Sequence, residues 1–317
     1  MKSPGFAPVL MLVFITVISL VGYIIFKNGS IKPNITAVTP TAVATATPVP
    51  SPSFTTAPTI KPTAVPTSKP SVTPKPTAKP VSGPPGSGLS TINVATEKGN
   101  FTATVLSLEM GSTRMITDTA NDGDCGNGCL ANNLQTFVTK NNGFAGVNGT
   151  YFCPITYPEC SGKTNSFDFP VYNTRLSHWI NGGNLFWNGR AMVYFDGSRA
   201  HYVQDAKSFS GGLTAGIVNF PGLVNGGAVQ IDDNQSGLSD KQKAKGTKVG
   251  LGLRENTIMV VVAMNVNMQE FAYVFKSLGA SGALNLDTGG STALYYGARY
   301  VYGPGRDIPN AVIFASK

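Results

Sequence analysis

The segment from Pro33 to Gly88 constrains this chain more than any other feature. It is built mostly of Pro, Thr, Ala, Val, Ser and Lys, holds 14 of the chain's 22 prolines, and contains no Asp or Glu. Proline fixes φ and removes a backbone donor, so a run this dense blocks helices and sheet ladders alike. Its small apolar content cannot offset the entropy of ordering it. Residues 28–88 are therefore expected to be a disordered linker. About 230 residues, 89–317, remain for a fold, enough for one hydrophobic core and marginal for two.

Charge follows the same division. The net charge is +8, yet the first 88 residues carry seven lysines and no acid, which leaves 17 basic against 16 acidic residues downstream. A nucleic-acid-binding domain concentrates positive charge on its folded part, so that class is excluded. Ahead of the linker, Val9 to Phe26 forms an uncharged apolar run of 18 residues. At 1.5 Å per residue it just spans a bilayer core of roughly 30 Å. A cleaved signal peptide would have an apolar stretch of about 7–15 residues and then a small-residue cleavage site. Here the run ends in Tyr23, Ile24, Ile25 and Phe26, followed by Lys27. Residues 1–27 are read as an uncleaved signal anchor, a transmembrane helix that makes this a single-pass membrane protein. Lys2 on one side and Lys27 and Lys32 on the other leave its orientation open.

The cysteines bear on orientation. Cys125, Cys129, Cys153 and Cys160 all lie in the folded part, spaced C-x3-C and C-x6-C. Zinc ribbons use two C-x2-C knuckles, so two disulfides fit better, with three pairings possible. Disulfides persist in oxidising compartments, which places the C-terminal domain outside the cytoplasm, at the cell envelope.

From Ser90 onward the chain is rich in Gly and in short β-branched or aromatic runs, the pattern of a strand-dominated domain. Strands are expected at Phe101–Leu108, Asn184–Trp187, Ala191–Phe195, Ala200–Gln204, Thr247–Leu253, Thr257–Asn265, Ala283–Asp287, Thr292–Tyr296 and Asn310–Ala315. Two segments carry helical periodicity. Leu130, Leu134, Phe137 and Val138 share a face within Leu130–Lys140, and Phe271, Val274, Phe275 and Leu278 do so within Asn267–Leu278. The expected fold class is α+β: a mixed, strand-dominated single domain with two main helices. Each helix stops at a glycine, Gly143 or Gly279, and leads into a short apolar strand. The first strand delivers Asn148; the second delivers Asn285 and Asp287. Polar groups where a buried strand opens into a Gly-rich turn are well placed to hold a ligand on a rigid scaffold.

The strongest local signal is Asn285-Leu286-Asp287-Thr288-Gly289-Gly290-Ser291-Thr292. A carboxylate followed by two glycines and hydroxyls lets backbone N–H groups approach a ligand as a small anion nest. Arg306, in Gly303-Pro304-Gly305-Arg306, offers a guanidinium suited to phosphate. Asp287-Thr288-Gly289 also spells the aspartic-protease triplet. Those enzymes need two such aspartates, and this chain has one copy with only 30 residues after it.

The blocks GVNGTYF, FPGLVNGG, GTKVGLG, LNLDTGGST and GRDIPNAVIF stand in an order that resembles the phosphodiester glycosidases, the family similar to N-acetylglucosamine-1-phosphodiester α-N-acetylglucosaminidase and to bacterial exopolysaccharide-associated relatives. The resemblance implies a mixed α+β fold and cleavage of a sugar from the phosphate at its anomeric carbon. It carries over Asn148, Gly149, Asn285, Asp287, Gly289, Gly290, Ser291, Arg306 and Asn310 as site residues. Thr150 and Thr288 stand where the family has glycine. Gly246-Thr247-Lys248-Val249-Gly250 stands where it has Arg-Thr-Ala-Ile-Gly, so Lys245 or Lys248 is expected to replace that arginine. Asp287, Asn285 and Asn148 are the expected catalytic group, with Gly149, Thr288, Gly289, Gly290, Ser291, Arg306, Lys248 and His178 binding substrate or phosphate. Asp168, Asp232 and Glu255 are candidates for a second carboxylate. The alternative is a non-catalytic envelope module that binds sugar phosphate.

Other residues weigh less. His201 reads as structural, and Trp179 and Trp187 as buried or stacked on sugar. Asp118, Asn121, Asp122 and Asp124 form an oxygen-rich loop without EF-hand spacing, expected to be pinned by Cys125 rather than to hold calcium. No cofactor and no metal is expected.

Overall fold

The computed structural model describes residues 83–185, 190–234 and 237–317. The expected anchor, nearly all of the linker and Trp187 lie outside the described residues. Among those described, no helix is long and apolar enough to cross a membrane. Residues 83–88, grouped with the linker by composition, make a turn tied to the fold: Ser112 Oγ donates to the Pro85 carbonyl at 2.6 Å.

In chain order the elements are β1 (Gly88–Thr96), β2 (Gly99–Glu109), β3 (Thr113–Thr119), α1 (Leu134–Lys140), β4 (Ala145–Asn148), β5 (Val171–Asn173), β6 (His178–Ile180), β7 (Ala191–Phe195), β8 (Ala200–Val203), β9 (Ala215–Asn219), β10 (Gly222–Asn225) and β11 (Ala228–Val229). The one-turn helix α2 (Asp240–Lys243) then precedes β12 (Gly246–Arg254), β13 (Thr257–Val266), α3 (Met268–Ser277), β14 (Gly282–Asn285), β15 (Leu294–Tyr296), β16 (Arg299–Tyr302) and β17 (Asn310–Ser316). They form three antiparallel sheets with strand orders β1-β2-β13-β12-β14-β10-β11, β16-β15-β4-β17-β3 and β6-β5-β9-β7-β8. The strand-dominated α+β expectation matches, with α1 and α3 the two longer helices.

Period-two alternation explains the layering. In β13, Ile258, Val260 and Val262 join a core shared with Val147 and Val312 of the second sheet and Val171 and Ile217 of the third. Met259, Val261 and Ala263 point the other way, against Phe271 and Phe275 of α3. A sheet covered on both faces reads as a continuous apolar run, as this strand does. Gly252 makes the α3 contact possible, since a Cβ there would sit 2.6 Å from the Phe275 ring. On the outer face of the second sheet, α1 packs Leu134, Phe137 and Val138 against Ile116 and Ile313.

Both helices are bounded by capping chemistry. Asn133 Oδ1 accepts from Thr136 N–H at 2.9 Å, so α1 begins at Leu134 rather than Leu130, which is 60% exposed. Asn267 and Glu270 form a reciprocal capping box on α3, and Gly279 takes the left-handed position (φ +80°) after it. Further corrections concern strands. Gly182–Asn184 form a 3-10 turn, not the start of a strand, because Asn181 turns the chain with φ 56°. The strand expected to reach Asp287 ends at Asn285, where the backbone leaves the first sheet for the second. Strands β1, β3, β5, β9 and β10 lacked a sequence signal strong enough to mark them, being polar, short or interrupted by Gly.

Candidate functional site

Where strands end, backbone N–H and C=O groups lose their ladder partners and need others. Four converging strand ends are asparagines: Asn148 closes β4, Asn219 closes β9, Asn285 closes β14 and Asn310 opens β17, all at most 1% exposed. An amide supplies both donor and acceptor, so one side chain can satisfy both kinds of orphan. Asn148 Nδ2 donates to the Asp287 carbonyl (2.8 Å) while its Oδ1 accepts from Ala293 N–H (3.0 Å). Asn219 Oδ1 accepts from Tyr151 N–H (3.3 Å) and its Nδ2 donates to the Asn285 carbonyl (2.8 Å). Asn310 clasps Thr150, accepting from its N–H (2.9 Å) and donating to its hydroxyl (3.0 Å). Asn285 Nδ2 donates to the Tyr151 phenol oxygen (2.7 Å) and the Phe220 carbonyl (3.2 Å). All three sheets are tied together at this point.

Asp287 follows on the crossover from the first sheet to the second. Leu286 N–H donates to the Val249 carbonyl and Asp287 N–H to the Gly149 carbonyl, both at 2.9 Å, so each sheet holds one side of the turn. Gly149 has no room for a side chain, because a Cβ would collide with the Asn310 amide. The Asp287 carboxyl accepts from Thr288 N–H at 2.9 Å and is hydrogen-bonded to the Ser291 side chain. Gly289–Ser291 make one 3-10 turn, with Gly289 at φ +66°, and the Gly290 carbonyl accepts from Arg306 N–H at 3.0 Å. Gly290 must be glycine-small, since a Cβ would strike the Arg306 guanidinium.

These groups open on a cavity of about 490 Å³ that Asp287, Thr288, Gly289, Ser291 and Arg306 share with Tyr151, Phe152, Pro154 and Tyr157, and with the segment Ser239 to Lys248. Among the described residues, Asp287 is the only acidic one lining it, against Lys241, Lys245, Lys248 and Arg306. Burial pushes the Asp287 carboxyl up to about 7, against the lowering effect of Ser291, the Thr288 amide and Arg306. The carboxyl therefore sits near half ionisation at neutral pH, the range suited to general acid–base work.

The disulfides pair nearest neighbours, Cys125 with Cys129 and Cys153 with Cys160. The second closes the loop that brings Pro154 and Tyr157 to the cavity. The Tyr157 ring lies 4.0 Å from Lys241 Nζ and 5.1 Å from the Arg306 guanidinium. Tyr151, Tyr157 and Gln242 escaped the sequence reading; for Tyr151 the signal was its place inside GVNGTYF, three residues after Asn148.

Of the expected site residues, Asp287, Thr288, Gly289, Ser291, Arg306 and Lys248 line the cavity. Asn148, Asn285, Asn310 and Gly149 do not line the cavity; their amides and backbone brace the strand ends behind it, and Asn285 Oδ1 is buried without a partner. Lys248 is 3% exposed, with Nζ donating to the Lys241 (3.2 Å) and Ala244 (3.1 Å) carbonyls, and burial lowers its pKa. Lys245 pairs with Glu270 at 2.8 Å. Both lysines reach the cavity, but their ammonium groups are engaged on its far side, unlike a free arginine fork. His178 is elsewhere: its Nε2 faces the Asp122 carbonyl at 3.2 Å. Asp168, Asp232 and Glu255 do not line the cavity either. His201 pairs with Asp196 at 2.7 Å, and Trp179 packs edge-on to Tyr172 and Phe209.

The loop weighed for calcium is divided among separate partners. Asp118 accepts from Thr119 N–H and from the amides of Asn173 and Asn141, Asp122 pairs with Arg175, and Asp124 accepts from Asn181 N–H. Asn121 Oδ1 accepts from Leu130 N–H at 2.8 Å. Among the described residues no group of three or more His, Cys, Asp or Glu is placed to hold a metal.

The catalytic domain of zebrafish N-acetylglucosamine-1-phosphodiester alpha-N-acetylglucosaminidase, described as auto-inhibited by its pro-peptide, superposes with a TM-score of 0.56 at 12% identity, covering 76% of this chain and 87% of that one. A hypothetical protein from Synechocystis gives a TM-score of 0.51 at 12% identity, covering 73% of this chain and 62%, under two thirds, of that one. At that identity the likeness speaks for the fold. No curated protein matches by sequence. The family model described as phosphodiester glycosidase matches residues 142–315, more than half the chain and the stretch that carries every cavity-lining residue. The chain therefore belongs to the phosphodiester glycosidase family.

Proposed function

We propose that this protein is an extracytoplasmic, membrane-tethered hydrolase that cleaves sugar-1-phosphodiester linkages in envelope glycans or exopolysaccharide, with Asp287 as its catalytic carboxylate. One observation carries the reading: among the described residues, a buried carboxyl is the only acid lining a cavity that also holds the Arg306 guanidinium, while the cavity's three lysines are bonded to other partners. Such a cavity favours an anionic ligand and leaves one group to handle a proton. The phosphate monoester released from the anomeric carbon is already a good leaving group, so one carboxylate suffices: ionised Asp287 takes a proton from water as the water oxygen bonds to the anomeric carbon. The C–O bond to phosphate breaks, and its electron pair leaves with the phosphate oxygen. Arg306, whose backbone N–H is bonded to the Gly290 carbonyl of the turn after Asp287, balances that charge. The two disulfides support an oxidising, extracytoplasmic location, and the apolar run at residues 9–26 supports tethering.

The test is release of free sugar from a panel of sugar-1-phosphodiesters and nucleotide sugars by protein made under oxidising conditions, beside Asp287→Asn. The name of the zebrafish neighbour makes N-acetylglucosamine the first sugar to offer. Release that is lost in the variant is the expected result. Binding of sugar phosphate by both proteins with no release from any substrate would replace the hydrolase with a binding module.

A further inference from the structure

The group in the cavity that the proposed reaction does not yet use is the Tyr151 phenol, and its surroundings determine where its proton points. A phenol oxygen has one proton to give and two lone pairs to offer. Asn285 Nδ2 donates to it at 2.7 Å and Gln242 Nε2 at 3.2 Å. Neither amide is free to turn around. Gln242 Oε1 is held by Ser239 N–H (2.8 Å) in the capping box of α2, so its NH2 must face the phenol. Asn285 Nδ2 also donates to the Phe220 carbonyl, which keeps its NH2 on the same side. With both lone pairs filled, the O–H is left for the cavity that Tyr151 lines together with Thr288 and Asp287.

We infer that Tyr151 is a catalytic residue: a pre-oriented hydrogen-bond donor to the phosphate oxygen that leaves the anomeric carbon. The inference rests on the phosphodiester reading above. We take the Arg306 guanidinium and the Gly289–Ser291 turn as the phosphate end of the cavity, and Thr288, which lines the same cavity, adjoins that turn. As the C–O bond breaks, negative charge grows on the departing oxygen, and a donor fixed before the reaction stabilises it without reorganising. Tyr151 keeps its proton throughout. Burial, together with the Asp287 charge, pushes the phenol up beyond its ordinary range even against its hydrogen bond from Gln242, so it does not titrate where the enzyme works. The proton taken from water stays on Asp287 until it returns to solvent.

Tyr151→Phe keeps the ring and removes only the donor. On the sugar-1-phosphodiester that the wild type cleaves best, kcat should fall roughly 100- to 1,000-fold with KM within about threefold. Affinity for glucose 1-phosphate, read by calorimetry, should fall about tenfold, and the pH profile should keep its shape. Gln242→Met guards against a Tyr151→Phe protein that fails to fold. It removes one of the two amide donors that orient the phenol, and should lower kcat about fivefold to tenfold in the same direction. Tyr151→Phe with kcat and glucose 1-phosphate affinity both within twofold of wild type overturns the assignment. So does an alkaline limb of the wild-type profile that the variant abolishes, which would make Tyr151 a titrating acid. If the wild type releases no sugar from any phosphodiester yet loses glucose 1-phosphate affinity in Tyr151→Phe, the hydrolytic reading fails and the donor stands.

Discussion

Two stretches of this chain follow one plan and end in different jobs. In each, an asparagine caps a short amphipathic helix, a left-handed residue ends it (Asn142 rather than the expected Gly143, and Gly279), and a four-residue buried strand closes on an asparagine: Asn133, α1, Asn142, β4 and Asn148 in the first; Asn267, α3, Gly279, β14 and Asn285 in the second. The first unit stops there. Both ends of the Asn148 amide are used on backbone, and what it holds is the second unit's Asp287. The second unit runs two residues further and puts a carboxyl into the cavity. Equal local sequence logic thus yields a brace in one sheet and a candidate reacting group between two sheets. What separates them is solvent and charge: Asn148 is sealed in backbone partners, whereas Asp287 meets a cavity that also holds the Arg306 guanidinium.

The largest test of that contrast is activity. Asp287→Asn should abolish sugar release by on the order of a thousandfold or more while the protein stays folded. A variant with wild-type turnover would move the chemistry away from the second unit.

Stability against pH comes next. The folded-state pKa of Asp287 is raised to about 7, from the ordinary 3.8, so between those values the folded protein holds a proton that the unfolded chain has lost. Stability is therefore fully present below about pH 4 and falls as pH rises through 7. Replacing the carboxyl by an amide removes that penalty. Asp287→Asn should be more stable than wild type at pH 8, by up to a few kcal/mol, and the gap should close toward pH 4. Denaturant titrations at the two pH values decide it; a gap that does not change with pH would mean the carboxyl is not strained by burial.

Asn148→Ala should behave in the opposite way. It leaves the Asp287 carbonyl and the Ala293 N–H buried without partners, costing about 1–3 kcal/mol with no pH dependence. Turnover should fall as well, because the backbone that aims Asp287 loses a clamp. Loss of turnover at unchanged stability would make Asn148 a ligand contact rather than a brace.

The smallest effect should separate the two caps. Asn133→Ala and Asn267→Ala should each cost about 1 kcal/mol. Only the second should raise KM, since its partner Glu270 also holds cavity-lining Lys245. Kinetics on both variants would show whether the helices differ in this way.

Much of this was legible in the residues. Helical periodicity located both helices, although the α1 start moved four residues, from Leu130 to Leu134, because Asn133 is the cap. The Gly-rich turn after Asp287 and the even cysteine count each needed only local chemistry to be read. The roles of the asparagines were not legible, since a buried Asn at a strand end has the same local sequence whether it holds backbone or ligand. His178 misled for a related reason: a lone histidine in a short strand carries no information about which sheet face meets the cavity.

The sequence by itself determined where a core could form and which turns it must contain. Apolar periodicity and the φ demands of glycine act within a few residues. It also determined that one carboxylate stands in a turn able to receive an anion. Only the tertiary structure decided that Asp287 has no acidic companion in its cavity, that Tyr151 faces it, and that Lys245 and Lys248 are turned to other partners. Those outcomes depend on three sheets meeting at four asparagines from distant parts of the chain. Hydrogen bonds and burial across such separations are set by packing, which no local stretch of sequence encodes.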